Sequence, residues 1–184
     1  MAKFATSGKG TPKKDLGALA MAYGTAYVAQ VAIGANDTQT VKALLEADAW
    51  PGPSLVIAYC TCTAHGIDMS RSMEHMKNAV RCGIWPLYRF QPTPAESGQP
   101  FKLDSREPSM PVREFAASEA RFAILSRTHP ERSERLLELM QNDVDERWRY
   151  YEQLAAIART VPTDGLEQAD ERSGSDRSDE EVQR

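Results

Sequence analysis

Two short apolar segments, separated by a stretch of mixed polarity, constrain the fold of this chain more than any other feature. In residues 25–34, TAYVAQVAIG, both alternating sets of positions are largely apolar, which is typical of a strand covered on both faces. Residues 54–60, SLVIAYC, are apolar almost throughout and follow a chain-breaking Pro-Gly-Pro. Strand, helix and strand at this spacing predict a βαβ unit. The expected fold class is α/β, with a partial parallel sheet flanked by helices.

Two amphipathic stretches accompany these strands and predict helices. In the first, between the two strands, Val41, Leu44 and Leu45 recur at helical spacing and form an apolar stripe. Three residues are candidates for its N-cap: Asn36, Asp37 and Thr38. The second helix follows the second strand and carries a stripe formed by Met69, Met73, Met76 and Val80. Such a stripe is expected to pack in the core rather than bind a metal.

The middle of the chain predicts one more strand and then an irregular segment. Residues 84–90, IWPLYRF, form a third short extended segment, and Pro86 places it near an edge or a crossover. Residues 91–111 are rich in proline and show little periodicity. An extended arm that wraps other structure is therefore expected there, outside the core of the domain.

The chain divides into four predicted parts. The first, 1–90, is the α/β domain, and the arm separates it from a helical C-terminal extension at 112–161. Within the extension a helix is predicted over 112–127, followed by a long one after Pro130. The long helix keeps one apolar face, which comprises Leu136, Met140, Val144, Trp148, Tyr151, Leu154 and Ala158. Its length predicts contact with another domain or subunit, whereas the acidic tail at 162–184 is expected to be disordered.

Charge and composition exclude several classes of protein. The net charge is −4, and the segment 163–184 holds eight acidic residues against three arginines, so the remaining body is close to neutral. This balance does not favour a nucleic-acid partner. No apolar run approaches the length of a membrane span, and three cysteines are too few for a disulfide framework. A cytoplasmic protein without a membrane partner is expected, with a basic surface loop at 1–14.

Two of the three cysteines, Cys60 and Cys62, stand where the second strand is predicted to end. Ligands gather at the carboxyl ends of parallel strands, and period-two alternation would point both thiols to one face. The alternative is that both are buried free cysteines, packed as small apolar residues. Two thiolates cannot complete a four-ligand zinc or iron–sulfur site. Any cluster at this position needs further ligands from outside this chain.

The remaining cysteine and the histidines are weaker candidates. His65 could pair with Cys62 as a nucleophile, but no third group is evident to orient the pair, so a loop position is favoured. His75 interrupts the polar face of the methionine helix and predicts a surface residue. His129 precedes a proline at a helix start and predicts a structural role, while Cys82 in the last turn of its helix is expected to be packed.

Several motifs, in this order along the chain, resemble the pyruvate:ferredoxin (flavodoxin) oxidoreductases. The segments are GKGTPKKDLG, PGPSLVIAYC, AHGIDM and WPLYR. The resemblance covers residues 2 to about 160 and is to the C-terminal part of the long single-chain enzyme. It implies thiamine diphosphate, Mg²⁺ and [4Fe–4S] clusters in a complete enzyme that converts pyruvate and coenzyme A to acetyl-CoA and CO₂. Ferredoxin or flavodoxin would accept the electrons, and a second protomer would form a homodimer.

The resemblance also assigns one residue. It implies that Cys62 is the fourth ligand of the cluster nearest the thiamine, and that Cys60 is a packed thiol or a supporting neighbour. The Gly-Asp-Gly of the thiamine motif is absent from the sequence, so no catalytic or thiamine-contacting residue is assigned. Met1 is then expected to be an internal or artificial start. The chain would be a fragment, inactive alone, that holds half of a thiamine diphosphate-binding fold and works with the remaining domains.

Two alternatives from other classes stay open. The first is a stand-alone interaction or scaffold protein, whose long helix mediates assembly and whose cysteines are inert. The second is a dimeric iron–sulfur or thiol redox module, which would build a cluster from Cys60 and Cys62 of each chain. As a fragment, the isolated chain is expected to be marginally folded and to associate, because an unpaired sheet edge promotes association.

Overall fold

The computed structural model describes residues 14–92 and 98–158, except for the side chain of His65. The predicted basic loop at 1–14, apart from its last residue, and the predicted acidic tail at 162–184 lie outside the described residues. None of the described helices combines the length and the apolar composition that a membrane crossing requires.

Within the described residues, four strands form one mixed sheet in the order β2-β1-β3-β4. The strands are β1 Tyr27–Val31, β2 Ser54–Ala58, β3 Tyr88–Phe90 and β4 Phe101–Leu103. The helices are α1 Leu16–Met21, α2 Asp37–Ala49, α3 Ser72–Arg81, α4 Val112–Ala117, α5 Ala120–Thr128 and α6 Pro130–Ala156. Two 3-10 turns, Thr63–His65 and Met69–Arg71, lie between β2 and α3.

The predicted βαβ unit is present. Strands β1 and β2 are parallel, with Tyr27 opposite Ser54, and α2 forms the crossover between them. Asn36 is the N-cap of α2, because its side chain accepts a hydrogen bond from the Gln39 N–H at 2.9 Å. The α/β fold class is therefore confirmed.

The other half of the sheet, formed by β3 and β4, is antiparallel, whereas a parallel sheet was expected. Strand β3 pairs antiparallel with both β1 and β4. Of the two positions expected for Pro86, an edge is excluded because β3 is internal, whereas a crossover is confirmed, because the chain passes β1 on its way from β2 to β3. Pro86 lies before the strand begins at Tyr88, so its missing N–H costs the ladder no hydrogen bond. Its carbonyl accepts a hydrogen bond from Gln30 Nε2 at 2.7 Å.

The expectation that the segment 91–111 lies outside the core also needs correction. It contributes β4 to the sheet, and Phe101 in that strand is almost completely buried. Asp104, just after β4, accepts two hydrogen bonds from Arg89 at 2.8 Å each. The sequence did not predict this strand because it has only three residues, too few for an alternating pattern to stand out in a proline-rich segment.

Helix α2 covers one face of the sheet, and α1 and α6 cover the other. Small and polar side chains of α2 face the sheet: Ala43 packs beneath Tyr27 and Ala29. The predicted stripe of α2 is instead solvent-exposed, formed by Val41, Leu44 and Leu45. Because α2 approaches β1 closely at Ala29, only a small side chain such as Ala43 fits between them, and the larger apolar side chains of α2 lie on its outer face.

On the opposite face, Tyr151 of α6 completes an aromatic cluster. Its ring centroid lies 5.2 Å from that of Tyr88 and 5.5 Å from that of Phe101. The Tyr151 hydroxyl donates a 2.5 Å hydrogen bond to Asp15, the residue that caps α1. Part of the long helix is thus covered by this chain's own sheet, although contact with another domain had been predicted for it.

Two helical predictions differ in detail. The helix predicted over 112–127 is broken into α4 and α5, with Glu119 extended between them. Of the methionine stripe, only Met76 is buried, whereas Met69 and Met73 are exposed. Met69 belongs to a 3-10 turn, where the periodicity of an α-helix no longer predicts which side chains face the core.

Candidate functional site

The loop that follows β2, residues 59–66, carries the two candidate cysteines. The strand ends at Ala58, two residues earlier than predicted, but the Tyr59 N–H still donates to the Val31 carbonyl at 2.9 Å. The same carbonyl accepts a hydrogen bond from Trp85 Nε1 at 3.0 Å. The loop therefore begins at the carboxyl end of the parallel strand pair, as the sequence predicted for Cys60 and Cys62.

Alternate residues of this loop point in opposite directions. Thr61 is only 6% exposed, and its hydroxyl lies 2.6 Å from that of Ser72 at the start of α3. Cys60 and Cys62, on either side of it, are exposed. Burial of these two thiols as small apolar residues is thus contradicted. Of the two roles implied for Cys60, a packed thiol is contradicted as well, and a supporting neighbour of the cluster stays a prediction. Cys82 is fully buried, as predicted.

A tight turn closes the loop directly after Cys62. Cys62 is extended and precedes the 3-10 turn, and Gly66 caps that turn with φ +72. A Cβ atom on Gly66 would lie 2.4 Å from the Cβ of Ala120, the first residue of α5. Glycine is required here both by the left-handed backbone and by the close approach of the helix.

Behind the loop lies a buried polar cluster that the sequence did not reveal. The Tyr59 hydroxyl is 3.2 Å from His75 Nε2, and that nitrogen is 3.2 Å from Glu119 Oε1. The Ser118 hydroxyl lies 3.5 Å from His75 Nδ1, and Arg121 forms an ion pair with Glu119. The prediction that His75 is a surface residue was wrong, because it is 6% exposed.

Burial defines what Tyr59 can do chemically. Desolvation, reinforced by the negative charge of Glu119, raises the pKa of Tyr59 to about 12. The phenol therefore keeps its proton at neutral pH and acts as a hydrogen-bonding group rather than as a base. Its ring packs edge-on against Trp85, with centroids 5.2 Å apart. The Tyr59–His75–Glu119 arrangement is suited to holding the loop in place.

The described residues do not form a complete metal site. In the part of the chain that the structure describes, no group of three or more His, Cys, Asp or Glu side chains could hold a metal ion. A [4Fe–4S] cluster takes four thiolates, so Cys62 could serve only as one ligand among others supplied from elsewhere. An exposed thiol on a braced loop fits that contribution. The assignment of Cys62 stays a prediction.

Only part of this site was predictable. The sequence placed Cys60 and Cys62 correctly at the end of β2, because the apolar run that precedes them is a local signal. His75 and Glu119 lacked such a signal. The one available indication is that His75 occurs four residues before the small, fully buried Ala79 on the same helical face, which favours burial. Glu119 stands in a break between two helices that periodicity did not detect.

Comparison with known proteins gives a consistent set of relatives. The chain is 50% identical over 157 residues to a pyruvate-flavodoxin oxidoreductase of Trichormus variabilis, covering 85% of this chain and 13% of the relative. It is 46% identical over 156 residues to a pyruvate:ferredoxin oxidoreductase of Moorella thermoacetica, covering 84% and 13%. A Klebsiella pneumoniae pyruvate-flavodoxin oxidoreductase is 48% identical over 158 residues, covering 84% and 14%. No family model matches the chain.

Proposed function

This chain is homologous to a segment of the pyruvate-flavodoxin and pyruvate:ferredoxin oxidoreductases, and we propose that it works as the corresponding part of such an enzyme. It spans only about an eighth of the length of these relatives: the aligned residues cover 13% of the Trichormus variabilis enzyme and 13% of the Moorella thermoacetica enzyme. In the proposed role the complete enzyme oxidises pyruvate in the presence of coenzyme A and passes electrons to flavodoxin or ferredoxin. The chain alone is expected to be inactive.

The observation that carries the proposal is an exposed Cys62 on a braced loop at the carboxyl end of two parallel strands. In this role Cys62 supplies one thiolate to a [4Fe–4S] cluster, whose other ligands belong to the remaining domains. Such a cluster, when bound, accepts one electron at a time from the oxidation of the substrate. Cys60 would lie beside the cluster without ligating it.

The rest of the chain would position that thiolate. Thr61 and Tyr59 are held inward by α3, so that the Cys62 side chain projects away from the domain. The sheet would form one wall of the thiamine diphosphate and Mg²⁺ site, whose direct ligands are not assigned to any described residue. The exposed apolar side chains of α2 are suited to packing against the remaining domains or the second protomer.

A chimeric enzyme tests this proposal directly. The matching segment of the Moorella thermoacetica relative is replaced by this chain, and Cys62→Ser is compared with Cys60→Ser. Cys62→Ser should remove one cluster, seen as lower iron content and loss of its electron paramagnetic resonance signal, and should abolish pyruvate-dependent flavodoxin reduction. Cys60→Ser should leave iron content unchanged and activity largely intact. Cys82→Ser is the control for a buried cysteine that contacts no cluster.

Equal losses from the two loop variants would refute the assignment of Cys62 as the single ligand. Full iron content in Cys62→Ser would refute any ligand role for it. The isolated chain should retain no iron after purification. Iron and sulfide bound stoichiometrically to the isolated chain would instead favour the dimeric iron–sulfur module.

A further inference from the structure

We propose that Glu119, acting through His75 and Tyr59, is a positioning residue that fixes the loop carrying Cys62. The claim that Glu119 holds the loop rests on the structure alone, whereas its expected effect on the cluster also rests on the proposed function. Glu119 contacts neither cysteine, and its effect is transmitted through the two neighbouring side chains.

Both ends of the loop converge on one element, the start of α5. At its start, Tyr59 reaches Glu119 through His75, by two contacts of 3.2 Å each. At its end, Gly66 lies against Ala120, the residue next to Glu119. The start of α5 therefore holds both ends of the loop, while Cys62 occupies the free segment between them.

The carboxylate of Glu119 is buried. Glu119 is 1% exposed, and its two oxygens lie against His75 and Arg121. Arg121 keeps 36% of its side chain exposed, so the carboxylate is the charge that loses its water, and a buried charge contributes little net stability even when it is paired. Its best-attested use is to select one arrangement of the chain. Here that arrangement is the position of α5 relative to the loop.

A break between α4 and α5 places Glu119 at this position. Helix α4 ends at Ala117, and the Ser118 hydroxyl donates to the Phe115 carbonyl at 2.6 Å. Glu119 then adopts an extended backbone with φ −111 and ψ 124 before α5 begins. A continuous helix would place its side chain differently. The break therefore serves to direct the carboxylate toward His75.

Amide hydrogen exchange in the 184-residue chain tests the structural part. Glu119→Gln keeps the shape of the side chain but removes its charge, and the matched control is Glu114→Gln on the exposed face of α4. Exchange in 59–66 should become about tenfold faster with Glu119→Gln, which corresponds to about 1.4 kcal/mol of local opening. Exchange in β1 should not change. An equal increase in β1, or no increase in the loop, would overturn the positioning role.

Tyr59→Phe provides a second variant if Glu119→Gln does not fold. It removes one hydroxyl and leaves the ring packed against Trp85. It should also accelerate exchange in 59–66, by a smaller factor, without affecting β1. Unchanged exchange in this variant would show that the contact with His75 does not hold the loop.

The consequence at the cluster is measured in the chimeric enzyme. Glu119→Gln should keep the iron content but change the electron paramagnetic resonance spectrum of the cluster assigned to Cys62, whereas Glu114→Gln should not. An unchanged spectrum would overturn this consequence. The two proposals fail separately: full iron content in Cys62→Ser refutes the ligand role and leaves the exchange result standing. Lost iron in Cys62→Ser, with unchanged exchange in Glu119→Gln, refutes only the positioning role.

Discussion

Replacing Gly66 with alanine should destabilise the protein through two separate effects that the structure allows to be distinguished. The first is backbone strain, because Gly66 has φ +72, a conformation that costs an L-residue about 1–2 kcal/mol. The second is overlap, because the new methyl group would lie 2.4 Å from the Cβ of Ala120. Overpacking of this kind typically costs about 1–3 kcal/mol.

Gly98 supplies a matched control for the first effect. Its φ is +64, and among the residues that the structure describes a Cβ atom there would meet nothing within 4 Å. Gly98→Ala thus introduces the strain without the overlap, and both variants restrict the unfolded chain by a similar amount. The difference between Gly66→Ala and Gly98→Ala should therefore be about 2 kcal/mol. For a chain of this size it corresponds to a difference of about 4–8 °C in Tm.

Thermal unfolding followed by circular dichroism measures this difference. The double variant Gly66→Ala/Ala120→Gly should recover part of the loss, because it removes the overlap but keeps the strain. Equal decreases in Tm for Gly66→Ala and Gly98→Ala would refute the reasoning. They would show that α5 does not pack against the loop as closely as the structure indicates.

Three further predictions concern other parts of the fold. Burial raises the pKa of Cys82 to about 11, so at pH 8 N-ethylmaleimide should label only two thiols of the native chain, counted by mass spectrometry. A third native label would contradict this. Arg89→Met should lower the free energy of unfolding, measured with a chemical denaturant, by about 2–3 kcal/mol, because the partly buried carboxylates of Glu46 and Asp104 lose their partner. A decrease below about 0.5 kcal/mol would refute the stabilising role of these two ion pairs. Leu45→Lys, at a position 66% exposed, should weaken concentration-dependent association in sedimentation velocity without lowering Tm. Unchanged association would exclude that face of α2.

The features that the sequence determined by itself are those with a local cause. The apolar runs of β1 and β2 depend on neighbouring residues and follow from the sequence alone, as does the N-cap of α2 to within three candidates, among which the structure selects Asn36. The position of Cys60 and Cys62 followed from the end of one such run. The motifs that resemble the oxidoreductases are likewise continuous stretches of sequence, and the relatives confirmed the resemblance.

Other features were decided only by tertiary packing. The apolar stripe of α2 was correctly recognised as a stripe, but its Leu44 faces solvent while Ala43 faces the sheet. His75 was assigned to the surface, although it is buried between Tyr59 and Glu119. Periodicity shows which residues share a face of a helix, and it carries no information about what that face meets. A polar residue can be buried wherever a distant partner satisfies it, and only the folded chain brings such partners together.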